Sequence, residues 1–122
     1  MPQGHFRGTG SPMVWVTVAG QTIEAVLDTG FEGGLQLPDA WLPRLRASLP
    51  APHQQLTYQL ADGRITHTNS YLLEADLGGD TIRVETIFLD GDEILLGVDA
   101  MRDYRLLIDF PAGTVALDRA VP

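Results

Sequence analysis

Asp28-Thr29-Gly30 stands once in this chain, directly after the alternating run Val14 to Val18 and the stretch Ala25-Val26-Leu27. A short acid followed by Thr and Gly at a strand's end holds a carboxylate on a tight backbone turn. So held, it can act as a general base on water. Two carboxylates brought together at short range share one proton, because like charges there do not both ionise, and one can then act as base while the other acts as acid. One copy per chain leaves the second carboxylate to be found, either elsewhere in the chain or in another copy of it.

No other cluster offers comparable chemistry. His5, His53 and His67 lack metal-ligand spacing. Asp90, Asp92 and Glu93 lack the twelve-residue calcium-loop pattern and read as a solvated acidic loop. Gly8-Thr9-Gly10 has no strand–helix unit around it and is not a phosphate loop. With no cysteine there are neither disulfides nor thiolate metal sites. Neither a metal nor a cofactor is expected.

The elements that must position Asp28 are short and β-prone. Val14–Val18 and Thr22–Leu27 flank Ala19-Gly20-Gln21 as a hairpin, and Leu35-Gln36-Leu37 is a short strand closed by Pro38. Residues 38–48 admit only a short helix, since Pro43 must lie in its first turn. Two further hairpins follow: Leu56–Leu60 with Ile65–Thr68 around Asp62-Gly63, and Tyr71–Leu77 with Thr81–Leu89 around Gly78-Gly79-Asp80. Ile94-Leu95-Leu96-Gly97 is a short buried strand, Val98–Tyr104 a single short helix, and Leu106–Phe110 with Thr114–Leu117 a closing hairpin. Trp15 and Trp41 are expected as core anchors. This pattern predicts an all-β barrel or sandwich with one or two short helices.

Length and composition agree. At 122 residues and 44% hydrophobic content, the chain is expected to form a single domain over residues 13–122, preceded by a flexible arm at residues 1–12. A net charge of −8 argues against nucleic-acid partners. No stretch approaches the roughly 20 apolar residues of a membrane span. Met1 to Pro12 lacks the apolar core of a signal peptide, and a cytoplasmic location is expected.

Two motifs, Val26-Leu27-Asp28-Thr29-Gly30 and Ile94-Leu95-Leu96-Gly97, occur in an order and β-rich setting that resembles the retropepsin-like aspartic proteases, over about Val14 to Leu117. Asp28-Thr29-Gly30-Phe31 followed by Leu35-Gln36-Leu37-Pro38 looks most like their small, single-lobed bacterial members. The resemblance implies a closed acid-protease barrel. It implies that Asp28 is catalytic, paired with Asp28 of a second chain in a homodimer that hydrolyses peptide or protein substrates. Thr29 would bond across the dyad, Gly30 would admit the substrate backbone, and Gly97 would allow close packing beneath the active-site loop. Residues 56–68 would form a mobile flap, with Leu60, Ala61, Asp62 and Gly63 at its tip and Phe31 beside the substrate. In such proteins the termini often pair between subunits, which assigns residues 1–12 and 116–122 to the dimer.

The chain departs from the pattern at three places. Phe31 stands where a small or hydroxyl-bearing residue is usual, implying a drier or partly blocked site. Glu32 and Val98 cannot form the Asp–Arg ion pair of retroviral members, and the flap tip carries one glycine, Gly63. Two other readings stay open: a retropepsin-fold peptide-binding or regulatory module with little or no activity, and a monomeric hydrolase pairing Asp28 with Asp99 or Asp109.

Overall fold

The computed structural model describes residues 3–8, 10–59 and 62–120. Alternation sets its first hairpin. In β2 (Ser11–Val18) and β3 (Gln21–Leu27), Val14, Val16 and Val18 lie opposite Ala25, Ile23 and Gln21, and the apolar members of these pairs turn inward. The odd-numbered residues of β2 face the other way. Trp15 is therefore 51% exposed rather than a core anchor. It lies opposite Glu24 and stacks on His5 at 5.3 Å.

The remaining elements close a ring. β4 (Leu35–Pro38) leads into α1 (Leu42–Leu45), flanked by two 3-10 turns, with Pro43 in its first turn. Trp41 there is half-buried against the core, with the Arg44 guanidinium 4.7 Å over its ring. Next come β5 (Gln54–Gln59), β6 (Ile65–Leu77), β7 (Asp80–Leu89) and β8 (Leu95–Leu96). α2 (Val98–Met101), β9 (Tyr104–Asp109) and β10 (Thr114–Arg119) complete the order. Hydrogen bonding runs from β2 through β3, β8, β4, β7 and β6, and β6 returns to β2 through Thr17–Asp76 and Val18–Ala75. The result is the expected closed all-β barrel with two short helices. Leu35, Leu37, Leu77, Val84 and Leu96 fill it alongside the valines of β2.

Three elements differ from expectation. Residues 65–77 form one 13-residue strand, not two. Asn69-Ser70 does not break it, because the one O–H of the buried Ser70 is shared between the Gln54 carbonyl at 3.3 Å and the Glu85 carboxylate at 3.1 Å. One half of β6 pairs with β5 and the other with β7, so both hairpins share a single continuous strand.

The arm expected at residues 1–12 contains β1 (Gln3–Arg7), which pairs with both β2 and β10. Gly4 makes this possible: a methyl there would strike the Met13 carbonyl and lie 2.6 Å from Val115 Cγ1. Finally, α2 ends at Met101 and β9 begins at Tyr104, whose ring is drawn into the fold by Asp80.

Candidate active site

β3 ends at Leu27, but β8 carries the ladder one residue further. Val26 and Leu27 pair in parallel with Leu95 and Leu96, and the Asp28 N–H donates to the Leu96 carbonyl at 3.0 Å. The chain then turns at once. The Phe31 N–H donates to the Asp28 carbonyl at 3.2 Å, and the Gly30 N–H donates to Asp28 Oδ1 at 2.8 Å. Bonding its own backbone two residues on restricts rotation of the carboxylate. Asp28 is half-buried, while Thr29 and Gly30 are exposed beside it. A methyl on Gly30 would sit 3.2 Å from Asp28 Oδ1 and crowd that carboxylate.

Three successive N–H groups clamp the rest of the loop. Gly97 donates to the Gly34 carbonyl at 2.7 Å, Val98 to Phe31 at 2.8 Å, and Asp99 to Gly33 at 3.1 Å. The two sequence motifs therefore meet backbone to backbone. Contact is close because Gly97 has no side chain: a methyl there would strike the Gly33 carbonyl and lie 2.6 Å from the Phe31 oxygen. These bonds tie the turn to β8 and to the residues after it, which fixes the backbone that carries the Asp28 carboxylate.

Phe31 fills the room that glycines leave. Its ring lies where a Cβ on Gly33 would meet Cζ at 2.6 Å and one on Gly97 would meet Cδ2 at 2.6 Å. The ring thus packs into the loop's own interior. The two alternative partners for Asp28 have occupations of their own: Asp99 pairs with Arg102 at 3.4 Å, and Asp109 Oδ1 accepts the Ala112 N–H in the β9–β10 turn.

The hairpin of β5 and β6 stands on the ring through β6, paired from Gln54–Ser70 to Gln59–Ile65. Leu60 and Ala61 lie outside the described residues. At the tip Asp62 accepts the Arg64 N–H at 3.0 Å and its Nε–H at 2.6 Å, and Gly63 takes φ +87° in open space. Asp62 and Gly63 thus form a self-braced turn at the end of the hairpin.

One residue near the site escaped the sequence reading. Glu85 of β7 runs its backbone under the loop: a methyl on Gly34 would lie 2.6 Å from the Glu85 carbonyl oxygen. Its carboxylate accepts from Gln54 Nε2 at 2.6 Å and from Ser70 Oγ at 3.1 Å, with His53 Nε2 at 3.9 Å. Burial, and then the Glu85 charge, push the Tyr58 phenol above its ordinary range. Glu85 therefore ties the base of the hairpin to the strand beneath the Asp28 loop. Its only local signal is an acid at the centre of Val84-Glu85-Thr86-Ile87, which reads equally well as a solvent-facing strand position.

Among the described residues, no three His, Asp or Glu side chains converge as metal ligands. A cavity of about 310 Å³ lies between Arg64, His67, Phe88 and Asp90, beside the β6 arm of the hairpin, and no residue of the Asp28 turn lines it.

Solved structures share this architecture. A retropepsin-like aspartic protease from Rickettsia conorii matches with a TM-score of 0.70 at 17% identity, over 98% of this chain and 91% of that one. The EIAV protease complexed with the inhibitor HBY-793 matches at 0.67 and 21% identity, over 80% of this chain and 91% of that one. The simian foamy virus (mac) protease matches at 0.56 and 20% identity, over 74% and 91%. No protein-family model matches the chain, and no curated protein matches it in sequence.

Proposed function

From a retropepsin-like fold that presents one Asp28 turn, we propose that two copies of this chain form an aspartic endopeptidase, each contributing one Asp28. The observation that carries this reading is the Asp28 turn itself. It is anchored by Leu96 and Gly97–Asp99 on one side and exposed at Thr29 and Gly30 on the other, while Asp99 and Asp109 are bonded elsewhere.

The paired carboxylates share one proton. The ionised member takes a proton from a bound water, whose oxygen attacks the scissile carbonyl carbon. The protonated member donates to the carbonyl oxygen and offsets its developing charge. Collapse of the tetrahedral intermediate breaks the C–N bond: the amine leaves with the proton that the base had taken, and one hydroxyl of the intermediate returns its proton to the other carboxylate as the new carboxyl group forms. The β5–β6 hairpin lies over the peptide and excludes water, with Glu85 holding its base.

A binding module that does not cut is the second reading, motivated by Phe31. The packing of that ring against Gly33 and Gly97 favours the active reading, because the bulk is absorbed inside the loop. Purified Asp28→Asn assayed on a mixed peptide library separates the two. Loss of at least a thousandfold in turnover, with the fold intact, is expected; undiminished cleavage by Asp28→Asn defeats the proposal, and a folded wild type that binds peptides but never cleaves them favours the binding module.

A further inference from the structure

β6 and β7 pair from Leu77–Asp80 to Ser70–Ile87 and then diverge. Past that point the β6 arm runs with β5 alone, while β7 continues to Leu89 beside Pro38 of β4. The fork between them holds the cavity of about 310 Å³. Thr68 Oγ1 lies near its apex, 3.3 Å from the Phe88 carbonyl. Arg64 and His67 line the wall formed by β6, and Asp39, Phe88 and Asp90 the wall formed by the barrel. The two acids are neighbours because Pro38 and Leu89 pair in register, each one residue before its Asp.

This cavity keeps opposite charges apart. Arg64 commits its Nε–H to Asp62 at 2.6 Å, which leaves the donors on its two terminal nitrogens. His67 shares Nδ1 with Thr57 Oγ1 at 3.0 Å, which leaves Nε2. Among the described residues, Arg64 forms no ion pair with Asp39 or Asp90, and neither acid has a side-chain partner of its own. Opposite charges facing one cavity attract, yet these do not meet, because the divergent strand pairing holds the walls apart. A ligand that joins them must carry both signs.

We propose that the fork binds a dipeptide with both ends free, its carboxylate on Arg64 and His67 and its ammonium on Asp39 and Asp90. A guanidinium takes a carboxylate through two parallel N–H bonds, and an ammonium has three donors for two acids. The volume lies at the lower end of small-molecule pockets, about 300–1,000 Å³, which suits a ligand of this size. Phe88, itself buried, offers an apolar surface to one side chain. Arg64 and His67 ride on the β5–β6 hairpin and Asp39 and Asp90 on the barrel, so the bound dipeptide ties one to the other. Free-ended fragments are what peptide hydrolysis leaves, and the role as a product site rests on the peptidase reading. The binding itself makes no use of Asp28.

Titration of isotope-labelled Asp28→Asn with the dipeptide Ala-Leu, followed by amide NMR shifts, tests it without turnover. Saturable shifts are expected at residues 64–69 and 88–90, on both walls of the fork. The same dipeptide acetylated and amidated at its ends should leave them unmoved. Arg64→Gln and Asp90→Asn, each introduced into Asp28→Asn and shown by its spectrum to fold, should weaken Ala-Leu about tenfold or more. Shifts confined to residues 28–30, equal binding of the blocked dipeptide, or unchanged affinity in both variants overturns the site. A wild type that cleaves peptides while the fork stays empty keeps the peptidase reading and removes this one. Binding in the fork of a wild type that never cleaves supports the site and removes only its role for products.

Discussion

Gly97 donates its N–H to the Gly34 carbonyl at 2.7 Å, joining the strand after the acidic loop to the far end of the Asp28 turn. The bond forms because nothing projects from the Gly97 Cα. Gly97→Ala drives a methyl into the Gly33 carbonyl and to within 2.6 Å of Phe31 Cδ2. Overpacking of this kind costs roughly 1–3 kcal/mol. Thermal melts should show the loss, and turnover should fall further than stability because the displaced loop carries the carboxylate. Adding Phe31→Ala relieves the ring contact but not the backbone one, so the double variant recovers only in part. Full recovery would show that the carbonyl contact is not limiting.

If each subunit supplies one Asp28, activity in mixtures follows pairing statistics. An equimolar mixture of wild type and Asp28→Asn that exchanges freely contains about a quarter wild-type dimers. Specific activity per wild-type chain should therefore drop to about half that of wild type alone at the same total concentration. A strictly proportional response, with no inhibition by the variant, would point to a complete site within one chain.

Glu85 joins three elements: β7 through its backbone, β5 through Gln54, and β6 through Ser70. Glu85→Ala leaves the exposed Gln54 amide to water and removes one partner of the buried Ser70 hydroxyl. Losing hydrogen bonds to a charged acceptor costs about 1.5–3 kcal/mol each in favourable settings, less where solvent reaches the group. Amide exchange should quicken along Gln54–Gln59, and KM for a peptide should rise more than kcat falls. Unchanged exchange in β5 would contradict the role given to Glu85.

Tyr104 ties the start of β9 to the start of β7. Burial, followed by its hydrogen bond to Asp80 at 2.9 Å, pushes its phenol from 10.0 up to about 12. A raised folded-state value means that the protonated phenol is favoured on folding. Its contribution is complete below pH 10 and is lost as pH climbs toward about 12. Tyr104→Phe should be less stable near neutrality by about 0.5–1.5 kcal/mol, the usual worth of one hydrogen bond. The gap to wild type should narrow in denaturation curves taken across that alkaline window. A constant gap would mean that the phenol contributes only packing.

Some of this was legible residue by residue. Val14, Val16 and Val18 announce a strand with one buried face, and Asp28-Thr29-Gly30 announces a turn that presents a carboxylate. Gly97 is marked by its place after Ile94-Leu95-Leu96. These are local signals, since strand alternation and tight turns depend on neighbours a few residues apart. Trp15 shows where locality ends: period two separates the faces of β2, but the inner face is chosen by β3 and β6, not by β2.

Tertiary structure decided the rest. Leu27 and Leu96 become neighbours only when the ring closes, and that pairing extends the ladder to Asp28. Gln3–Arg7 has no strand signature of its own, yet it is drawn into the sheet because β10 and β2 offer two edges that Gly4 can approach. Glu85 gains its importance from Gln54 and Ser70, which lie 31 and 15 residues away in sequence. From its own residues the chain determined that a carboxylate would stand on a turn at the end of a β-strand. What grips that turn, and which strand edges are left unpaired among the described residues, followed from long-range strand pairing, because hydrogen-bond partners in a barrel are set by closure and not by adjacency.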